Sequence, residues 1–230
     1  MKDVKQTKLK AVIFDVDGTL VDSNDLHVEA WQVAFRKYGK QIGYDAIHEQ
    51  IGKGGDQLMP EFLSYDELQR FGKELEEYRV ELFADKYLDR VKPFPKVREL
   101  FERVKADGLS TALASSAKTD EIERYEKMLG ITELVDTATS ADDAKKSKPS
   151  PDIFHVALDR LTGVDASETI VVGDSPWDVI AASKAGMSTI ALLSGKFTEA
   201  KLRSAGAAEI YKDISDLLER YEQSRLGKRQ

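Results

Sequence analysis

The sequence predicts an α/β fold built on a parallel sheet, and three observations carry that expectation. Four short, bulky apolar runs lie along the chain at Ala11–Phe14, Ser110–Ala114, Thr169–Val172 and Ser188–Leu192. Segments of helical period lie between them. A residue able to do chemistry follows three of the four runs directly, as at Asp15, Ser115 and Gly173-Asp174. Strand alternating with helix is the pattern of a parallel sheet covered on both faces, and runs this short and apolar are typical of strands buried on both sides.

The first run, AVIF, leads straight into Asp15. Helical period is clear at Val97, Leu100, Phe101 and Val104, ahead of Gly108. It returns at Ile153, Val156, Ala157, Leu158 and Leu161, after the Pro149 and Pro151 pair. Val179, Ala182 and Ala185 mark a further helix that stops near Gly186, a residue suited to a helix end. One stretch does not alternate. Residues 22–92 contain no convincing strand but show helical periods at Leu26, Ala30, Val33 and Ala34 and again at Leu68, Leu75, Tyr78 and Leu82. Lys92-Pro93-Phe94-Pro95 breaks the pattern at its far end. The chain therefore divides into an α/β core of residues 1–21 and 93–230 and a helical insertion of residues 22–92. The polar end, Ser224 to Gln230, reads as a frayed tail.

Composition narrows the function. With 230 residues, 41% apolar and 33% charged, the chain is an ordinary soluble globular sequence, long enough for a proper core. It has no cysteine, which excludes disulfides, thiolate catalysis and cysteine-ligated zinc. A formal net charge of −7 and a pI near 5.2 argue against nucleic acid and anionic membranes as partners. The opening MKDVKQTKLK is charged and does not look like a secretory signal, and no segment approaches the roughly 18 apolar residues of a membrane span. A cytoplasmic protein, monomeric or weakly dimeric, is expected.

Four pieces could carry chemistry, each near the carboxyl end of an expected strand or leading into a helix. Asp15-Val16-Asp17-Gly18-Thr19 sets two carboxylates two residues apart, where one can attack while the other handles protons and a cation relieves their repulsion. Alone, the same letters describe an acidic turn. Ser115-Ser116 offers hydroxyls and backbone N–H groups to phosphate oxygens, or simply caps a helix. Lys148, fixed ahead of Pro149-Ser150-Pro151-Asp152, could neutralise a phosphoryl group, or be one more lysine beside Lys145 and Lys146. Gly173-Asp174-Ser175-Pro176-Trp177-Asp178 supplies two more acids, hard oxygen donors that suit Mg²⁺, unless Asp174 only caps the helix.

Taken together, in this order and each after a strand, DVDGTLVDS, ALASS, KPSPDIF and VVGDSPWD resemble the motifs of the haloacid dehalogenase-like (HAD) hydrolase superfamily. The resemblance runs from about Lys10 to about Leu218. It implies the HAD fold, a Rossmann-like parallel sheet core, with residues 22–92 as the small helical cap found in phosphoglycolate phosphatase and β-phosphoglucomutase-like members. It further implies Asp15 as nucleophile, Asp17 as general acid/base, Lys148 as charge-stabilising lysine and Ser115, with Ser116, as phosphate-binding hydroxyls. Mg²⁺ would be held by Asp15, the backbone carbonyl of Asp17, and Asp174, with Asp178 as a further ligand, directly or through water. The implied activity is Mg²⁺-dependent hydrolysis of a small phosphorylated metabolite, phosphoglycolate- or sugar-phosphate-like, by way of an aspartyl-phosphate.

The second Asp separates this reading from metal-free dehalogenases, which lack it, and from phosphonatase-type relatives, which replace it with a small residue and use a cap lysine. A β-phosphoglucomutase-like sugar phosphomutase is the main alternative, because His27 sits where those enzymes carry a cap histidine. Specificity is expected from the polar cap residues His27, Lys53 and Arg79, with Lys53 in the turn Ile51-Gly52-Lys53-Gly54-Gly55-Asp56. A glycine-rich turn of this kind either approaches a ligand closely or only connects helices. Trp31 and Phe35, at helical spacing from His27, read as the apolar interior of the cap.

Overall fold

The computed structural model describes residues 8–228. The first seven residues of the charged amino-terminal stretch, and the last two of the polar tail, lie outside the described residues.

The chain enters through β1 (Ala11–Phe14) and turns at once into a two-residue strand, β2 (Val21–Asp22). A run of helices follows: α1 (Asn24–Lys37), α2 (Tyr44–His48), α3 (Gly55–Leu58), α4 (Tyr65–Glu67) and α5 (Lys73–Lys86). The turn Leu68–Gly72, wider than an α-turn, joins α4 to α5. Strand β3 (Lys92–Pro93) then pairs antiparallel with β2, so both ends of the inserted segment pass through one short ribbon. That ribbon corrects the expectation of no strand across 22–92, since Asp22 and Lys92 belong to it. Two residues a side give no alternation for a sequence to display.

The rest alternates: α6 (Val97–Ala106), β4 (Ser110–Ala114), α7 (Thr119–Leu129), β5 (Thr137–Thr139), α8 (Asp152–Arg160), β6 (Thr169–Gly173), α9 (Pro176–Lys184), β7 (Ser188–Leu192), α10 (Glu199–Ala205), β8 (Glu209–Tyr211) and α11 (Ile214–Glu219). Six strands form one parallel sheet in the order β5-β4-β1-β6-β7-β8. The first strand in sequence is thus central, and the chain runs outward from it in both directions. In such sheets the crevice at the carboxyl ends of the strands flanking the reversal receives the ligand, and Asp15 stands there.

Period-two alternation along β1 assigns the two faces. Val12 and Phe14 pack with α6, α7 and α11 through Leu100, Phe101, Ile122 and Leu217, and Phe14 stacks on Phe101 at 4.4 Å between ring centroids. Ala11 and Ile13 point the other way, onto α8 and α9 through Phe154, Ala157, Ala181 and Ala182. The inserted helices hold an apolar cluster of their own, around Val28, Trp31, Phe35, Ile47, Leu58 and Leu75. Trp31 and Phe35 lie inside it as their spacing suggests, stacked at 5.4 Å. The carboxyl-terminal tail departs from the frayed expectation: Ser224 and Leu226 are buried, and Leu226 joins the core cluster on the face of Phe14. The Ser224 hydroxyl donates to the Tyr221 carbonyl at 2.6 Å, which closes the chain into a turn and satisfies a polar group that a tail would leave to solvent. No helix among the described residues is long and apolar enough to cross a membrane.

Candidate active site

Asp15 leaves β1 at the centre of the sheet, and its carboxylate is buried. The chain bends immediately, with the Gly18 N–H donating to the Val21 carbonyl at 2.8 Å. Gly18 takes φ +77°, and a side chain there would collide with the Asp174 carboxylate and the Asn24 amide. Only glycine lets this turn close against the end of β6. The Ser194 hydroxyl fastens the turn from beyond β7, donating to the Gly18 carbonyl at 2.7 Å.

Asp174 follows β6, yet it does not cap α9. Ser175 is the N-cap, in a reciprocal box in which its hydroxyl accepts from the Asp178 N–H and the Asp178 carboxylate accepts from the Ser175 N–H. Asp174 is free to face the centre. There it accepts from Asn24 Nδ2 at 2.8 Å and from the Thr19 hydroxyl at 3.2 Å, which also reaches Asp15 Oδ2 at 2.9 Å. One oxygen from each of Asp15, Asp174 and Asp178 lies within 4.8 Å of the others, all three buried.

Lys148 is the counterweight. Its ammonium lies 2.5 Å from Asp15 Oδ1 and 2.8 Å from Asp178 Oδ1, and it donates to the Ala114 carbonyl at the end of β4. It is 1% exposed, so it is no surface lysine. Burial opposes its charge, but Asp15 and Asp178 outweigh burial and hold it protonated beyond its usual range. One cation does not balance three acids. Burial, then the Asp178 charge, push the Asp15 carboxyl up to about 7 against the pull of Lys148. Burial, then Asp15 and Asp178, hold Asp174 well above the ordinary carboxylate range.

Asp17 lies on the other side of the turn. Its Oδ1 accepts from the Ser23 hydroxyl at 2.6 Å and from His27 Nε2 at 3.0 Å. Burial alone would raise this carboxyl, but His27, through charge and hydrogen bond, and then Ser23 hold it below its ordinary value. The His27 ring is set by a parallel stack on Phe83 of α5 at 4.0 Å. Ser115 is buried after β4, with its hydroxyl accepting from the Ala117 N–H at 3.0 Å and lying 3.4 Å from Asp17 Oδ2. The Ser116 hydroxyl is buried without a hydrogen-bond partner.

The structure thus gathers Asp15, Asp17, Ser115, Ser116, Lys148, Asp174 and Asp178 at one crevice, with His27 against Asp17. Lys53 and Arg79 also line the cavity over Asp15 and Asp17. Lys53 is committed, however: it pairs with Gln50 Oε1 at 2.6 Å and Glu61 Oε1 at 2.8 Å and sits 4.1 Å over the Trp177 ring. Its glycine-rich turn is a close-approach device. A side chain at Gly52 would meet Ser175, and one at Gly54 would meet Ser147, beside Lys148. The inserted helices also hold the core through His48 Nε2, which donates to the Gly195 carbonyl at 3.0 Å, and through Glu49, whose carbonyl accepts from Trp177 Nε1 at 3.2 Å.

Sequence reasoning passed over Thr19, Asn24 and Glu121. Thr19 stands inside the DVDGT string and Asn24 just beyond it, but nothing in their spacing marks them as partners of Asp174. Glu121 is buried on α7, one helical turn before Tyr125. That i, i+4 placement on an otherwise apolar face was the available signal.

A phosphorylated carbohydrates phosphatase of Thermotoga maritima is 32% identical to the chain over 209 residues, 89% of this chain and 94% of that protein. A phosphoglycolate phosphatase of Yersinia pestis is 31% identical over 197 residues, 84% of each. The crystal structure of a hydrolase from Pseudomonas syringae superposes with a TM-score of 0.83 at 28% identity, covering 93% of this chain and 98% of that one. Residues 12–192, which hold all four motifs and every strand that meets at the crevice, match the haloacid dehalogenase-like hydrolase family, and the chain belongs to that family.

Proposed function

We propose that the chain is a Mg²⁺-dependent phosphatase that hydrolyses a small phosphorylated metabolite, phosphoglycolate- or sugar-phosphate-like, through an aspartyl-phosphate on Asp15. One observation carries the reading: the Asp15 carboxylate is buried at the central strand end, with Lys148 on one side and the hydrogen-bonded Asp17 on the other.

The residues fit a hard divalent cation. Asp15, Asp174 and Asp178 offer only oxygen, one atom of each within 4.8 Å of the others, which is the donor chemistry a hard cation takes. Asn24 Oδ1 is buried nearby without a hydrogen-bond partner. Asp15, Asp174, the Asp17 carbonyl and Asp178 would hold the ion. When bound, Mg²⁺ supplies positive charge that lets a carboxylate approach a phosphate dianion.

The chain's own residues do the rest. Asp15 attacks phosphorus, and the bond to the leaving oxygen breaks. Lys148 neutralises charge on the transferring group, while Ser115, Ser116 and nearby backbone N–H groups hold its oxygens. Asp17 gives its proton to the leaving oxygen and later takes one from the water that releases phosphate. Its low resting affinity for protons suits the second step, and the arriving dianion raises it for the first. Residues 22–92 act as a cap over the crevice, in which His27, Lys53 and Arg79 shape specificity.

A sugar phosphomutase is the second reading, because His27 touches Asp17 from the cap side. The test is phosphate release from a panel of phosphorylated metabolites with Mg²⁺ and with excess chelator. Release that requires Mg²⁺ and vanishes in Asp15→Asn is expected; full activity in chelator would defeat the metal claim.

A further inference from the structure

The space over Asp15 and Asp17 is a throat of about 50 Å³ that opens into a chamber of about 430 Å³. The two share Gly54, Arg79, Ser116, Ala117 and Glu121 in their walls. The throat admits a phosphoryl group, and the chamber is the place for whatever carries it. A volume of this order is that of a small-molecule site, and it is large for a two-carbon acid or a second phosphate.

The walls of the chamber are polar in a particular way. Its two lysines stand at the exposed rim, Lys73 3.6 Å from Glu77 and Lys118 2.8 Å from Asp142. Farther in, the wall holds Arg79, Glu76 and Glu121, and no ion pair among the described residues includes any of these three. Arg79 lies over the Trp31 ring at 4.9 Å, and its Nε is buried without a hydrogen-bond partner, as is the Ser116 hydroxyl. Burial lowers the proton affinity of Arg79 and raises that of Glu76 and Glu121, the response of charged groups stripped of water. Glu76 is held at the wall by Gly55, since a side chain at Gly55 would occupy the place of its carboxylate.

A buried donor without a partner, Arg79 Nε, beside two carboxylates that no ion pair engages calls for a ligand that both accepts and donates. A second phosphate or carboxylate offers acceptors only, and here it would meet Glu76 and Glu121 beside the single arginine of the inner wall. A hydroxyl both donates and accepts. A row of hydroxyls can give hydrogens to Glu76 and Glu121 and receive them from Arg79.

From this we infer that the substrate is the monophosphate of an uncharged polyol, a sugar or sugar alcohol, with its hydroxyls in the chamber between Arg79, Glu76 and Glu121. Substrates with a second anion, such as phosphoglycolate or pyrophosphate, are then disfavoured. The inference rests on the phosphatase reading and deepens it.

The test compares kcat/KM, at saturating Mg²⁺, for a hexose 6-phosphate and a hexitol 6-phosphate with that for 2-phosphoglycolate and pyrophosphate, alongside p-nitrophenyl phosphate. The polyol esters should lead by roughly tenfold or more. Glu76→Gln and Glu121→Gln, made singly and together, should narrow that lead by raising KM for the polyol esters and lowering it for phosphoglycolate. Gly55→Ala, which displaces Glu76 without altering its charge, should raise the polyol KM as well. Hydrolysis of the aryl ester with phosphoglycolate or pyrophosphate preferred would overturn the inference and leave the phosphatase reading standing. A polyol lead that the glutamine variants do not change would overturn it too. Phosphate release from none of these esters would end both readings together.

Discussion

Lys148 Nζ lies 2.8 Å from Asp178 Oδ1, so the ammonium that faces Asp15 is anchored from a different strand end. Among the described residues it is the one lysine or arginine paired with Asp15 and Asp178. Lys148→Ala leaves Asp15 and Asp178 without it, and losing one partner of a buried pair typically costs about 3–5 kcal/mol. Urea unfolding in chelator should show a loss of that order, partly recovered by Mg²⁺. Phosphate release should fall by about 10²-fold or more. A variant with wild-type stability in chelator would mean that the acids are not charged against Lys148.

The crowded carboxylates should make the metal-free protein weaken as pH rises. Asp15 is pushed from its ordinary 3.8 up to about 7, so within that window the folded protein keeps a proton the unfolded chain has released. Stability conferred by that proton is present below the window and is lost as pH climbs through it. Asp174 shifts in the same direction. In chelator, Tm should fall between about pH 4 and about pH 7, and the gain from Mg²⁺ should be largest at the upper end. Asp174→Asn should flatten the slope and weaken Mg²⁺ binding measured by calorimetry. A flat or rising Tm in chelator would count against the arrangement.

Asp17→Asn should separate the two chemical steps. With an alkyl phosphate, the first step slows by about 10²–10⁴-fold for want of a general acid. With an activated aryl phosphate the leaving group needs little help, so phenol should appear as a burst. The second step then stalls, and intact mass should show an adduct of roughly 80 Da, one phosphoryl group on the carboxylate. Asp15→Asn should give neither burst nor adduct. Wild-type turnover of both substrates by Asp17→Asn would make Asp17 a turn residue.

Isomerisation of hexose 1-phosphates should not exceed their rate of hydrolysis. A mutase must hold a sugar hydroxyl over the phosphorylated Asp15 more firmly than water. Of the basic groups at the throat, Lys53 is bound to Gln50 and Glu61, which leaves His27 and Arg79 for that task. Bisphosphate-primed conversion to the 6-phosphate, followed by phosphorus NMR, would reverse the ranking.

Much of the fold was legible because β1, β4, β6 and β7 are bulky apolar runs, buried along nearly their whole length. The edge strands were not. β5 is Thr137-Ala138-Thr139, half-buried and paired on one side, and β8 is as short. An edge strand three residues long carries too little apolar pattern to stand out from a loop. The wide turn at Leu68–Gly72 was hidden as well, since Leu68 and Leu75 are spaced as in an unbroken helix. At the crevice, Asp15, Ser115 and Asp174 were legible because each follows a strand. Glu76, by contrast, meets Gly55 across the fold of the inserted helices, and such a meeting has no trace in local spacing.

The central place of β1 has a consequence for how the protein comes into being. Ala11–Phe14 leaves the ribosome first, but the strands it pairs with are Ser110–Ala114 and Thr169–Gly173. At typical rates of synthesis, β1 waits on the order of ten seconds for its second neighbour. Until then Asp15 has no Asp174 beside it. Nascent and partly folded chains therefore carry Asp15 without the crevice, which closes only in a late step, when β6 docks.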